Sequence, residues 1–397
     1  MIISTTTIIA GAVVVLLAIL GSLINPFLRS LRLHTASEQQ GNDTETETEE
    51  QQAEQKATLS PSVTVLITAH DNLPELERNL PSFLKQKYSN DYQVVVVCQN
   101  SDGDTIDFLK RLSAEHTHLY YTFIPDSSRY MSRKKLQITV GVKASKYEWI
   151  LLTEPTCRAN NDEWLAAMTR QCQDPTHLVL GYVCTEDTCK GVRRFDTIRE
   201  AYYLLRRAQR SYGYRTNLPN VLFRKSDFMN QQGFQGNLEY LRSEYDFLAN
   251  KYGQEGGTAV ELNEAGWLTQ EAPTDKSWHN SHLYLQASRK SMLRHRSMRT
   301  LMFFDHLLPH LSLIASLVTL AYAIMTQDWI LTACAGFSLL LLIILRVIIA
   351  HKAISHFDKD IATYKLPFYE YGVIWRNLAN KVRYWHADKN DFTSHKL

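Results

Sequence analysis

The segment Ile150–Leu165, ILLTEPTCRANNDEWL, begins with an apolar run that stops at Thr153, Glu154, Pro155 and Thr156. A strand end of this kind is where an enzyme can present two carboxylates to a divalent ion. Here there is one carboxylate, Glu154, followed by an imide and a hydroxyl. Two more polar clusters follow apolar runs in the same way: Ala69 to Asn72, and Cys98 to Asp104. Three successive cations, Arg133, Lys134 and Lys135, open a helical stretch. They can neutralise an anion, or simply solvate a helix start. Further along, Glu244 and Asp246 flank Tyr245. Either acid can take a proton from a hydroxyl; a pair of acids at a helix start reads the same.

These clusters need elements to bring them together. Val63–Thr68, Tyr92–Cys98, Tyr120–Ile124 and Trp149–Leu152 are short apolar runs rich in β-branched and aromatic residues. Between them, Leu73–Leu84, Thr105–Leu112 and Lys135–Ala144 show helical spacing of apolar residues. Continuous apolar strands alternating with amphipathic helices predict an α/β fold with a mostly parallel sheet covered on both faces. Ligands on such sheets bind beyond the strand C-terminal ends, where all three polar clusters fall.

Three apolar segments flank this core. Residues 1–28 carry no charged side chain, and Ile8–Ile24 is long enough, with its flanks, to span a bilayer. No cation precedes it and no small-residue cleavage site follows it, so it reads as an uncleaved anchor. Leu307–Met325 and Trp329–Ala350, separated by Thr326, Gln327 and Asp328, predict a transmembrane hairpin. Arg29 and Arg32, Arg289 to Arg299, and Lys352 to Arg383 place the basic flanks of all three spans on one side, the cytosolic one. Arg346 is expected to snorkel from the last span to the interface. The resulting order is an anchor at 1–28, an acidic aromatic-free linker within 29–60, a core at 61–300, a hairpin at 301–351 and a tail at 352–397. The tail mixes aromatic and basic residues, which suits a helix in the headgroup layer or one packed on the soluble domain. The 43 basic and 41 acidic residues give no electrostatic case for nucleic acid. Six cysteines without a CxxC pair read as reduced thiols.

The stretches VTVLITAHDNLPELERNLPSFLKQKY, VVVVCQNSDGDTIDFL and EWILLTEPTCRANNDEWL resemble membrane-bound family-2 glycosyltransferases. The likeness runs in order through Asn220–Ser226 and Ser243–Asp246 to Arg294 and His295, covering about residues 60–299. It implies the GT-A fold and a nucleotide-sugar donor, held by Ala69, Asp71, Gln99, Lys134, Glu154, Arg294 and His295. It implies Mg²⁺ or Mn²⁺ at the place of an Asp-x-Asp motif, here Glu154 and Thr156. It also implies an inverting transfer with Glu244 as base and Asp246 as runner-up. The chain departs from the family pattern at Cys98 and Gln99, where an aspartate pair is usual, at Thr156, and at Ser291, where a glutamine is usual. Asn161 or Asp162 is expected to cap the helix carrying Trp164.

Two functions remain open at this point. One is an integral inner-membrane glycosyltransferase with a cytosolic catalytic domain, acting on a lipid-linked or envelope glycan acceptor. The other is a catalytically impaired relative that binds a glycan, a nucleotide or a partner enzyme. A channel is disfavoured by the scarcity of polar residues in the spans.

Overall fold

The computed structural model describes residues 5–28, 31, 60–126, 131–289, 291–292 and 296–393. The acidic linker up to residue 59, Arg294 and His295 lie outside the described residues. Contacts group the chain into two units, one of residues 32–189, 204–293 and 383–397, the other of 1–31, 190–203 and 294–382.

The first unit is built on a seven-stranded sheet. Strands β1 (Val63–Thr68), β2 (Tyr92–Gln99), β3 (Leu119–Ile124) and β4 (Trp149–Thr153) are parallel, in the order β3-β2-β1-β4. Beyond β4 come β8 (Val221–Arg224), β6 (Leu178–Gly181) and β9 (Thr258–Glu261); β8 alone runs antiparallel to its neighbours. A small second sheet joins β5 (Cys157–Ala159), β10 (Leu268–Gln270) and β7 (Val183–Thr185). Every residue of β1 and β4 is buried. Helices cover both faces of such strands, which is why their sequences are continuously apolar rather than alternating. The mixed α/β, mostly parallel architecture is the one the sequence predicts.

Helices α2 (Leu73–Leu84), α3 (Gly103–Glu115) and α4 (Arg133–Ala144) follow β1, β2 and β3. α2 buries Leu76, Leu80, Phe83 and Leu84, one stripe at helical spacing. α4 approaches the sheet so closely that a Cβ on Gly141 would lie 2.2 Å from Leu66 Cδ1. α5 (Trp164–Thr169), α7 (Lys225–Asn230), α8 (Glu244–Tyr252) and α9 (Asp275–Ser288) complete this unit. Residue Glu163 stands at the N-cap of α5 without a side-chain bond. Asn161 instead accepts the Glu163 N–H at 2.9 Å, and Asp162 pairs with Lys87 at 2.6 Å. Neither therefore caps the helix as the sequence suggested.

The second unit holds α1 (Thr5–Leu23), the start of α6 (Gly191–Arg210), α10 (Arg296–Met325), α11 (Trp329–Ile354) and most of α12 (Leu366–His386). Three of these, α1, α10 from Thr300 onward and α11, are long and apolar enough to cross a membrane. Thr7 Oγ1 donates to Asp328 Oδ2 at 2.7 Å, near one end of the spans. Near the other end lies a buried charge cluster. Arg346 Nε donates to Glu370 Oε2 and its Nη1 to the Gly21 carbonyl, each at 2.5 Å. Arg346 Nη2 also lies 3.5 Å from Asp305, which is paired with Arg199. Asn25 donates to the second Glu370 oxygen at 3.3 Å. The snorkelling expected of Arg346 is thus not what the fold shows. A guanidinium that finds two carboxylates and a carbonyl within the helix packing has no reason to extend to the interface.

Candidate active site

Parallel pairing sets the floor of the site. Ile67 of β1 stands opposite Thr153 of β4, and Thr68 opposite Val97 of β2. The residues that follow, Ala69, Gln99 and Glu154, therefore emerge along one edge of the sheet. Gln137 on α4 fixes that edge: its amide donates to the Ala69 carbonyl at 2.6 Å and to the Val97 carbonyl at 3.2 Å. Ala69 and Gln99 are buried. Asp71 projects outward, its side chain 79% exposed on a left-handed backbone (φ 53°), with His70 Nδ1 3.6 Å away. Asp71 is thus a solvent-facing group as the fold stands.

The α4 start brings the cations in. Ser132 caps the helix by accepting the Lys135 N–H. Lys134 forms an ion pair with Glu154, across 20 residues of sequence. Its ammonium also lies 5.0 Å from the centroid of the Tyr245 ring, within reach of a cation–π attraction. Burial disfavours the Lys134 charge, yet Glu154 and Glu244 together hold it above the ordinary lysine value. Burial likewise pushes the Glu154 carboxyl up, and Lys134, aided by Arg242, more than reverses this. Both groups are therefore ionised near neutral pH. Their side chains keep 31% and 22% exposure, so a solute can reach the pair.

Lys135, next in sequence, has a different task. It is fully buried, and its ammonium donates to the carbonyls of Asn237 at 2.5 Å and of Tyr240. Desolvation pushes its pKa down to about 8. Asn237 in turn donates to Ser291 Oγ at 2.6 Å and accepts from Ser243 Oγ at 3.1 Å. This network ties down the loop before α8. Ser243 takes a left-handed backbone, φ 105°, which costs a non-glycine residue free energy and persists only where neighbours enforce it. The next residue is Glu244, only 3% exposed, with its Oε1 buried and without a hydrogen-bond partner. Glu75 Oε2, Asp102 Oδ2 and Asp305 Oδ1 are likewise buried without a hydrogen-bond partner; what sets Glu244 apart is that its carboxylate lies in the field of Lys134 beside Glu154. Asp246 differs. It forms a buried ion pair with Arg215 at 3.2 Å, and burial raises its pKa despite that partner. Asp246 is committed to holding the fold; Glu244 is not.

Of the residues singled out from sequence, Lys134, Glu154 and Glu244 come together, with Ala69 and Gln99 along the adjoining edge. Arg294 and His295 lie outside the described residues. Lys135, Asn237, Tyr245 and Arg242 were missed as part of the site's frame. Only the unbroken cationic run at 133–135 hinted at the first.

The residues present fit a divalent ion poorly. Glu154 is the single carboxylate at the end of β4, and Lys134 already occupies it. Thr156 adds a neutral hydroxyl whose oxygen is buried. Cys157 beside it is buried, and desolvation raises its pKa far enough to keep it a neutral thiol. Among the described residues, no three His, Cys, Asp or Glu side chains gather, so a divalent ion here would rest on the one carboxylate and on oxygens of the donor itself.

No curated protein sequence matches the chain. Among solved structures, a mannosyltransferase from Pyrobaculum calidifontis, solved with GDP-Man and Mn²⁺, is 14% identical; the match covers 83% of this chain and 94% of that one at a TM-score of 0.49. Residues 1–349 of TarS from S. aureus, in complex with UDP-GlcNAc, are 12% identical, covering 79% and 92% at a TM-score of 0.41. Likenesses this remote transfer no residue roles. The sequence profile of glycosyl transferase family 21, by contrast, matches residues 17–387, nearly the whole chain from the first span to the end of α12. The motif resemblance to a membrane-bound glycosyltransferase is thereby supported, and the family that matches is the one to which the chain belongs: glycosyl transferase family 21.

Proposed function

We propose that this chain transfers a sugar from a nucleotide-sugar donor to a hydroxyl of a lipid-linked or envelope glycan acceptor at the inner face of a plasma membrane, with inversion at the anomeric carbon. Glu244 carries the reading, because its buried Oε1 has no partner in the fold and lies in the electrostatic reach of Lys134. In the proposed step the acceptor O–H gives its proton to Glu244 as its oxygen bonds to the anomeric carbon. The bond from that carbon to the diphosphate oxygen breaks, and the diphosphate leaves with the electron pair. Ala69 and Gln99 line the edge where the nucleoside would lie, with Asp71 at its rim. A divalent ion, if one binds with the donor, would have Glu154 and Thr156 as its ligands and would screen the diphosphate; the donor set above does not favour it.

Membrane attachment is supported by the three spans and by the face that α12 turns outward, and the basic flanks of the spans favour the cytosolic side. Phe368, Trp375, Leu378, Val382 and Trp385 are exposed at heptad spacing, opposite the buried Leu366, Glu370 and Val373. Such a stripe suits the headgroup layer.

The test is turnover. Purified full-length protein in micelles is offered UDP- and GDP-sugars with a lipid extract, and nucleotide release is followed. Glu244→Gln is expected to lower kcat about 10²-fold or more while nucleotide still binds. Full activity in that variant would remove Glu244 from the chemistry. The alternative, a binding protein without turnover, is favoured by the single carboxylate at the end of β4, already paired with Lys134, and is established if the wild type binds nucleotide yet releases none with any donor.

A further inference from the structure

We propose that the Lys134 ammonium, held by Glu154, is the cation that receives the donor diphosphate in this chain, so that donor binding needs no divalent ion. The inference rests on the reading of the site as a nucleotide-sugar site and names how that site handles phosphate.

The first support is position. Lys134 and Glu154 meet beyond the C-terminal end of β4, the side on which ligands of a parallel sheet bind. The pair is partly open, so the ammonium can reach an incoming phosphate without leaving its carboxylate. An ammonium has three donors; one serves Glu154, and two stay available.

The second is charge. Glu154 and Lys134 sum to zero. A divalent ion bound at Glu154 would have to expel the ammonium or stand beside it. Expulsion leaves Lys134 next to a like charge in a half-buried place with Glu244 as its remaining carboxylate, and Thr156 and Cys157, which follow Glu154, add no negative charge to hold the ion. The geometry already supplies one cation for one anion.

The third is support from behind. The Tyr245 ring lies 5.0 Å from Lys134 Nζ and favours its charge. Glu244 adds attraction to the ammonium, while Arg242 favours the Glu154 carboxylate and opposes the Lys134 charge. Lys134 is thus a cation kept charged by two carboxylates, of which Glu154 is its ion-pair partner. In the transfer, the bond from the anomeric carbon to the diphosphate breaks, the electron pair stays on the diphosphate oxygen, and Lys134 offsets that charge as it develops.

The metal reading and the lysine reading predict opposite effects for one substitution. If Glu154 is a metal ligand, Glu154→Gln destroys metal-assisted binding. If Glu154 only holds Lys134, the same change frees a positive charge. The experiment titrates UDP and GDP into full-length protein in micelles, with EDTA or with Mn²⁺, for the wild type, Glu154→Gln, Lys134→Met and Lys134→Met/Glu154→Gln. The expected results are wild-type affinity unchanged by EDTA, Glu154→Gln binding at least as tightly as wild type, and Lys134→Met weaker by about thirtyfold or more. Lys134→Met leaves Glu154 without its partner, so it can fail to fold. The neutral double variant then carries the arm, and must bind more weakly than Glu154→Gln alone. Binding that requires Mn²⁺ and is lost in Glu154→Gln overturns the proposal while leaving the nucleotide-sugar reading intact. Binding of neither nucleotide under any condition overturns both.

Discussion

Replacing Arg346 by methionine removes one charge from a cluster of four. Arg199, Asp305, Arg346 and Glu370 are 6%, 2%, 4% and 7% exposed, so none is relieved by water. Two cations and two anions make the cluster neutral. Arg346→Met leaves Asp305 and Glu370 facing Arg199 alone, one uncompensated negative charge in a low-dielectric setting. It also strips the Gly21 carbonyl of its donor. Breaking a buried pair from one side costs roughly 3–5 kcal/mol. For a unit of this size each kcal/mol lowers the melting point by about 2–4 °C, so the expected drop is roughly 10 °C. The double variant Arg346→Met/Glu370→Met restores neutrality and keeps the Arg199–Asp305 pair. It should recover most of the loss, because similar-sized apolar residues replace a buried ion pair at little cost. The assay is tryptophan fluorescence during heating in micelles, on the wild type, both single variants and the double. A melting point for Arg346→Met within about 2 °C of wild type would refute the argument. It would mean that Arg346 spends its time at the headgroups, as its place near a span end first implied.

Two further predictions concern the other unit. Lys135 titrates near 8 in the fold against 10.5 for an ordinary lysine. The unfolded chain therefore holds one more proton between those values, and stability should rise with pH across that window, by roughly 3 kcal/mol in all. Melts at pH 7.5 to 10.5 should show this rise in the wild type and lose it in Lys135→Met; an unchanged slope in the variant would assign the proton elsewhere. Gly141→Ala places a methyl 2.2 Å from Leu66 Cδ1 and 3.1 Å from Val97 Cγ2. It should destabilise the unit by about 1–3 kcal/mol, read by denaturant titration, and Leu66→Ala in the same chain should return part of it. Wild-type stability in Gly141→Ala would show that α4 can stand off the sheet.

The four parallel strands were legible because burial on both faces demands continuous apolar runs, and each run ends where the chain must turn polar. The spans were legible for a similar reason, since length and apolarity suffice. Short strands were not. β5, β7 and β10 have three residues each, and they exist only because residues 157–159, 183–185 and 268–270 find one another in space. The same holds for charge. Arg346 looked like a lone cation near a span end because its partners lie 24 and 41 residues away, in Glu370 and Asp305. Asp246 and Glu244 looked interchangeable two residues apart. Arg215, 31 residues back, separates them by claiming one.

The same logic changes the meaning of the missing acid at Thr156. Read along the chain, Glu154-Pro155-Thr156 is a metal motif with one ligand lost. In the fold, the question is what cation stands opposite whatever anions remain. Two carboxylates balance a divalent ion; one carboxylate balances one ammonium. On the proposal that Lys134 receives the diphosphate, Glu154 and Lys134 form such a pair, and the neutral Thr156 adds no charge to it. A carboxylate restored at 156 would leave the pair one negative charge in excess, facing an anionic donor. Thr156→Asp should therefore weaken binding of UDP or GDP in EDTA and make the protein newly responsive to Mn²⁺. If the aspartate instead tightens binding without any metal, charge balance is not what selects the residue at that position.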